Sequence, residues 1–234
     1  MLRAALLSIL VLAAAPALAE EAAPAASAAK QDWAALVAAT AEGGYRIGNP
    51  DAKVKLVEYG SLGCSHCAHF AAEADGPLRS NYIAGGQVSF EFRPFLIFPT
   101  DLAASQLLGC TGATGYFPAL EKLFAAQKGA HDRLEALPRA EQERIEALDP
   151  AAQGPALIKA MGFDTLFRAQ GLSDAQQSAC LADQAAAQRL GEVTDAGVAL
   201  GVTGTPAFLI NGKLVEDAPT WQALETRLKG AIGA

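Results

Sequence analysis

Residues Lys53–Phe70 read KVKLVEYGSLGCSHCAHF, and this stretch decides the fold. Its first half alternates, with Val54, Leu56 and Glu58 on one side and Lys55, Val57 and Tyr59 on the other. A period of two carried by β-branched and aromatic residues predicts a strand. Gly60 and Ser61 break the pattern, and from Cys64 the residues Cys67, Ala68, Ala71 and Ala72 recur at helical spacing. A strand, a short turn and a helix opening on Cys64-Ser65-His66-Cys67 therefore place two cysteines on the first helical turn. Side chains at i and i+3 share a face, so the two sulfurs can bond without backbone movement. At a helix N-terminus the unpaired N–H groups and the macrodipole favour an anion. Cys64 is accordingly the expected nucleophilic thiolate, below the free thiol value of about 8.5. Cys67, one turn deeper, is the expected resolving thiol.

Other uses of a CxxC pair are weighed on the same residues. Haem attachment needs His directly after the second cysteine, and position 68 is Ala. Structural zinc usually needs a second Cys/His pair. A copper or zinc carrier built on reduced Cys64 and Cys67 with His69 stays open, because soft thiolates suit Cu(I). No resident metal or cofactor is expected for the dithiol chemistry itself.

Working outward, Met1–Ala19 has the form of a secretory signal peptide: Arg3, an apolar run from Leu6 to Ala15, then Ala17-Leu18-Ala19 as the cleavage pattern. Export to a bacterial periplasm is the expectation. The formal charge is −7, and removing residues 1–19 takes away Arg3 and no acid, giving −8. That acidic balance argues against a nucleic-acid partner. An exported chain with four cysteines permits disulfides. With Cys64 and Cys67 adjacent, Cys110 and Cys180 are left to pair, a closure contributing about 4 kcal/mol; two free buried thiols are the alternative.

Residues 20–43 read as a leader with a short helix over Gln31–Ala41 that puts Trp33, Leu36 and Val37 on one side. Gln87–Arg93 alternates as a second interior strand. Residues 99–185 carry helical patterns throughout, including an N-cap at Thr100 or Asp101 and a capping box at Ser173 and Gln176. After a helix carrying Leu190, Val193, Gly197 and Leu200 come Val202-Thr203-Gly204-Thr205-Pro206, a strand, and the hairpin signal Asn211-Gly212. A last helix carries Trp221, Leu224 and Leu228. The fold class is α/β.

Glu58-Tyr59-Gly60, Cys64-Ser65-His66-Cys67, Gly204-Thr205-Pro206-Ala207-Phe208 and Ile210-Asn211-Gly212-Lys213, in this order, resemble the DsbA-like thiol–disulfide oxidoreductases of the thioredoxin superfamily. The resemblance implies a thioredoxin fold in two parts, residues 44–98 and 186–234, around an inserted all-helical domain at 99–185. It implies a cis peptide bond before Pro206, with Thr205 offering backbone groups to a substrate strand. His66 is implied to stabilise the Cys64 thiolate, with Ser65 where the family more often has Pro. Glu58 is implied to relay the proton of Cys67. The resemblance further implies reduced exported proteins as substrates and a membrane DsbB-like, quinone-linked partner that reoxidises the dithiol. The short leader, without heptads, favours a monomeric oxidase over an isomerase or reductase of the same fold.

Overall fold

A computed structural model describes residues 31–233 of the chain. The signal-peptide reading of residues 1–19 and residues 20–30 of the leader lie outside the described residues. The first described elements are a 3-10 turn at Trp33–Ala35 and strands β1 (Val37–Ala39) and β2 (Tyr45–Ile47). Here the structure corrects the helix read over 31–41. Asp32 caps the 3-10 turn by accepting from the Ala34 N–H at 3.0 Å. The chain then pairs β1 antiparallel to β2, Val37 opposite Ile47. Alanine's helix preference is worth only tenths of a kcal/mol per residue, and an available sheet edge overrides it.

Strand β3 (Val54–Gly60) leads into α1 (Ser65–Leu78), followed by a wide helical turn at Arg79–Ile83 and strand β4 (Val88–Pro94). Pro77 lies inside α1 without ending it. The missing N–H of a proline loosens the i→i−4 ladder, and the wider turn follows directly. The helical segment comprises α2 (Asp101–Cys110), α3 (Gly112–Glu135), α4 (Arg139–Glu146), α5 (Pro150–Met161), α6 (Phe163–Ala169) and α7 (Asp174–Leu181). Ser173 and Gln176 form the expected capping box on α7. The chain closes with α8 (Gln184–Ala199), β5 (Ala207–Ile210), β6 (Lys213–Val215) and α9 (Trp221–Gly233). Leu200 falls just beyond α8 and is exposed, so it does not join the apolar stripe assigned to it.

The sheet runs β1-β2-β4-β3-β5-β6. Among the described residues only β3 and β4 pair in parallel; the other neighbours are antiparallel. This is the expected thioredoxin fold, with β3 between β4 and β5. Strand β3 is covered on both faces, which is why all its residues except Lys55 are buried. Val54 and Leu56 join the main core with Phe70, Phe92 and Phe208, while Val57 and Tyr59 pack with Phe95, Val193 and Leu209. The helical segment shares the main core through Leu107, Leu120, Leu123 and Phe124. At the β5–β6 hairpin Asn211 and Gly212 both take positive φ, the geometry their dipeptide signals. Asn211 also binds Lys55 on β3, accepting from its N–H at 2.8 Å and donating to its carbonyl at 2.9 Å.

Candidate active site

The end of β3 delivers the loop Ser61-Leu62-Gly63, and Cys64 occupies the N-cap position of α1. Cys64 is 8% exposed and Cys67 fully buried, as the helical spacing requires. Both are free thiols in this structure. The hydrogen bond that Cys67 donates is the largest reason the Cys64 thiol is lowered to about 4. Burial opposes the shift, while Thr205 and the backbone N–H groups of Cys67 and His66 add to it. When protonated, Cys64 faces the Thr205 carbonyl oxygen at 3.4 Å. That oxygen cannot help an anion; the Thr205 hydroxyl can, and it is buried with no other partner.

The Cys67 thiol is pushed upward, first by the hydrogen bond it gives to Cys64, then by burial and by the charges of Glu58 and Cys64. One sulfur is thus held as an anion and the other as a thiol. Glu58, 3% exposed, has an Oε1 with no hydrogen-bond partner. Burial pushes its carboxyl well above the usual range, and the charges of Asp75 and Cys64 act in the same direction. The Thr205–Pro206 peptide is cis. Ser65 and His66 are exposed, and position 66 reaches the sulfur through its backbone N–H. The side-chain donor role expected of His66 passes to the main chain, because the N-cap geometry aims N–H groups, not the imidazole, at Cys64. His69 is turned out to solvent and pairs with Glu73 at 3.4 Å, so it does not join the two cysteines. Among the described residues no group of three or more His, Cys, Asp or Glu is placed to hold a metal ion.

Cys110, at the end of α2, and Cys180, on α7, are disulfide-bonded with Cα atoms 6.4 Å apart. The bond lies within the helical segment, away from the CxxC helix.

Two site residues were missed by sequence reasoning. Asp101, 1% exposed, accepts from Ser61 Oγ, Gly63 N, Ile97 N and Phe98 N at 2.8, 2.8, 2.8 and 2.9 Å. It fixes the cysteine loop instead of capping α2. Gln127, 2% exposed on α3, donates to the Leu62 and Cys64 carbonyls at 2.7 and 3.1 Å. Its signal was legible: a polar residue on the stripe of Leu120, Leu123 and Phe124 must find buried partners. Asp101→Ala strands the Ser61 hydroxyl and the Ile97 and Phe98 N–H groups and leaves Gly63 N only the Ser61 Oγ at 3.2 Å, and we expect it to cost about 3 kcal/mol. Urea unfolding checks this as a lower midpoint at unchanged slope.

A thioredoxin family model matches residues 40–230. A Rickettsia bellii protein provisionally named a protein-disulfide oxidoreductase is 32% identical over 82 residues, covering 35% of this chain and 32% of that one. The match thus spans about a third of the relative's length. The solved structure of a protein-disulfide isomerase from Novosphingobium aromaticivorans is similar at a TM-score of 0.75 and 27% identity, over 81% of this chain and 97% of that one. Wolbachia pipientis alpha-DsbA1 shares the fold, at a TM-score of 0.62 and 18% identity, over 80% of this chain and 90% of that one.

Proposed function

Since the chain belongs to the thioredoxin family, we propose that it is an exported DsbA-like dithiol oxidase that forms disulfide bonds in other exported proteins. The observation that carries the reading is the anion-holding position of Cys64 at the N-cap of α1, beside a thiol kept protonated. A substrate thiolate attacks Cys64 Sγ, the Cys64–Cys67 bond breaks, and Cys67 leaves, taking a proton from Glu58. A second substrate thiolate then attacks the substrate sulfur of the mixed disulfide, and Cys64 leaves as a thiolate. Two electrons pass to the protein and one substrate disulfide forms. A low-pKa thiolate is the better leaving group, which favours this direction. Thr205, next to Pro206, offers main-chain groups on which an extended substrate can pair. Reoxidation by a membrane DsbB-like partner, action as a monomer, and delivery to the periplasm belong to the same proposal.

Magnitudes support an oxidant. Thioredoxin's nucleophile titrates near 7. A value three units lower favours the reduced form at pH 7 by about 4 kcal/mol, or about 90 mV for two electrons. Starting from about −270 mV, the potential reaches about −180 mV or higher. Equilibration with glutathione buffers of known ratio tests this. We expect a value between about −180 and −120 mV; one below about −230 mV overturns the oxidase reading. Isomerase activity is the second reading, favoured by the likeness to the Novosphingobium protein. Recovery of a scrambled-disulfide substrate, set against oxidation of a reduced peptide, separates the two.

A further inference from the structure

Ala71 and Asp75 follow Cys67 at four-residue intervals along α1, so the three side chains share one helix face. A narrow cavity opens along this face, between Ala71 and Asp75 on one side, Glu58 of β3 beneath, and Leu120, Glu121 and Phe124 of α3 opposite. The space open to water centres is about 20 Å³, enough for about one water. Its polar lining consists of Glu58, Asp75, Arg79 and Glu121; Ile47, Phe90 and Phe92 from β2 and β4 are apolar. Glu58 Oε1 is buried there without a partner. At the outer end Arg79 and Glu121 form an ion pair at 2.5 Å, both partly exposed. Asp75 lies between, half-buried. Burial pushes its carboxyl up to about 7, with Glu121 raising it and Arg79 lowering it.

The reaction above takes a proton from Glu58, and resolution of a mixed disulfide by Cys67 returns one, yet the buried Glu58 Oε1 has no protein partner with which to exchange it. We propose that Asp75 and one cavity water form the proton exit of the site, linking Glu58 to bulk water beside Arg79 and Glu121. The inference rests on the dithiol reading and names the next group in its proton path. When Cys67 resolves a mixed disulfide, its S–H bond breaks and the proton passes to Glu58. The sulfur lone pair attacks Cys64 Sγ, and the partner thiolate departs. The water carries the proton from Glu58 to the Asp75 carboxylate, which releases it to solvent. Reduction of the site runs the same path inward. Asp75 touches neither sulfur, so it acts as a positioning residue for the proton.

The test is single-turnover resolution of the glutathione mixed disulfide on Cys64, followed by acid quench and intact mass between pH 5 and 9. In weak buffer the full-length chain should show a rate that rises through an inflection near pH 7. Asp75→Asn should lose that inflection and fall about tenfold at pH 8, with concentrated imidazole restoring the rate. Ala71→Val, which fills the water site and changes no charge, should slow resolution without rescue by imidazole. Melting curves of both variants confirm folding. If Asp75→Asn only shifts the inflection downward, at an unchanged plateau and with no imidazole effect, Asp75 acts through its charge on Glu58 and the exit is wrong. Wild-type rates in both variants also overturn it. A wild-type chain that forms no mixed disulfide overturns the parent reading as well, which keeps the two failures apart.

Discussion

Replacing Cys67 with alanine is expected to stop turnover and leave partner molecules attached to Cys64. The two sulfurs are separated by one helical turn, and Cys67 already donates a hydrogen bond to Cys64. A thiol held in that position attacks a mixed disulfide at an effective concentration no external thiol reaches. Without it, release waits for a collision with free thiol in solution. We expect the lifetime of the mixed disulfide to rise by at least about a thousandfold. Intact mass or non-reducing electrophoresis, after mixing the reduced variant with a disulfide-bearing peptide, should show one adduct per chain. Cys64→Ala should give no adduct, since Cys67 is fully buried and held as a thiol. Adducts on Cys67, or release from the Cys67→Ala variant at the wild-type rate, would sink the assignment of the two roles.

The residues that made this site legible are those whose chemistry is local. A strand followed by a cysteine pair at helical spacing dictates where the sulfurs point, and a tight Asn-Gly turn dictates the hairpin beyond them. The thioredoxin-like order of elements follows from such short-range signals. Asp101 could not be recognised in the same way: Ile97 and Phe98 are its near neighbours in the chain, but the two donors that tie it to the cysteine loop, Ser61 and Gly63, meet it only once the helical segment docks on the sheet. In the sequence it looks like a helix cap. The misread 31–41 segment failed for a related reason, since its strand exists only because β2 offers an edge. His66 shows a third limit: sequence locates a residue beside a sulfur but does not say whether side chain or main chain faces it. Asp75 is the same problem at longer range, for nothing in its neighbours announces a cavity shared with Glu58.

Reduction by glutathione is expected to become more favourable by about tenfold for each unit of rising pH between about 5 and 8. Cys64 titrates at about 4 and Cys67 is pushed upward, so in this window the reduced site holds one thiolate and one thiol. Reduction of the protein takes up one proton, whereas oxidation of two glutathione thiols releases two. One proton is released overall, which sets the slope. In absolute terms the potential should fall by about 30 mV per unit, half the slope of a couple that binds two protons. The stability of the two redox forms gives an independent reading. Cys64 is depressed on folding, so its contribution to the reduced form is complete above the unfolded thiol value of about 8.5 and is lost as pH falls through about 4. The gap between reduced and oxidised stability should therefore shrink by about 1.4 kcal/mol per unit on acidification, or about 4 kcal/mol from pH 7 to pH 4. Asp75 is raised on folding, so its contribution has the opposite sign: present below its unfolded value and lost as pH rises through about 7. It acts in both redox forms and largely cancels in the difference, which is why the gap, not either melting curve alone, reports on Cys64. A glutathione equilibrium that stays flat from pH 5 to pH 8 would mean that reduction binds two protons. Cys64 would then be an ordinary thiol, and the anion-holding helix end would no longer explain why this protein takes electrons.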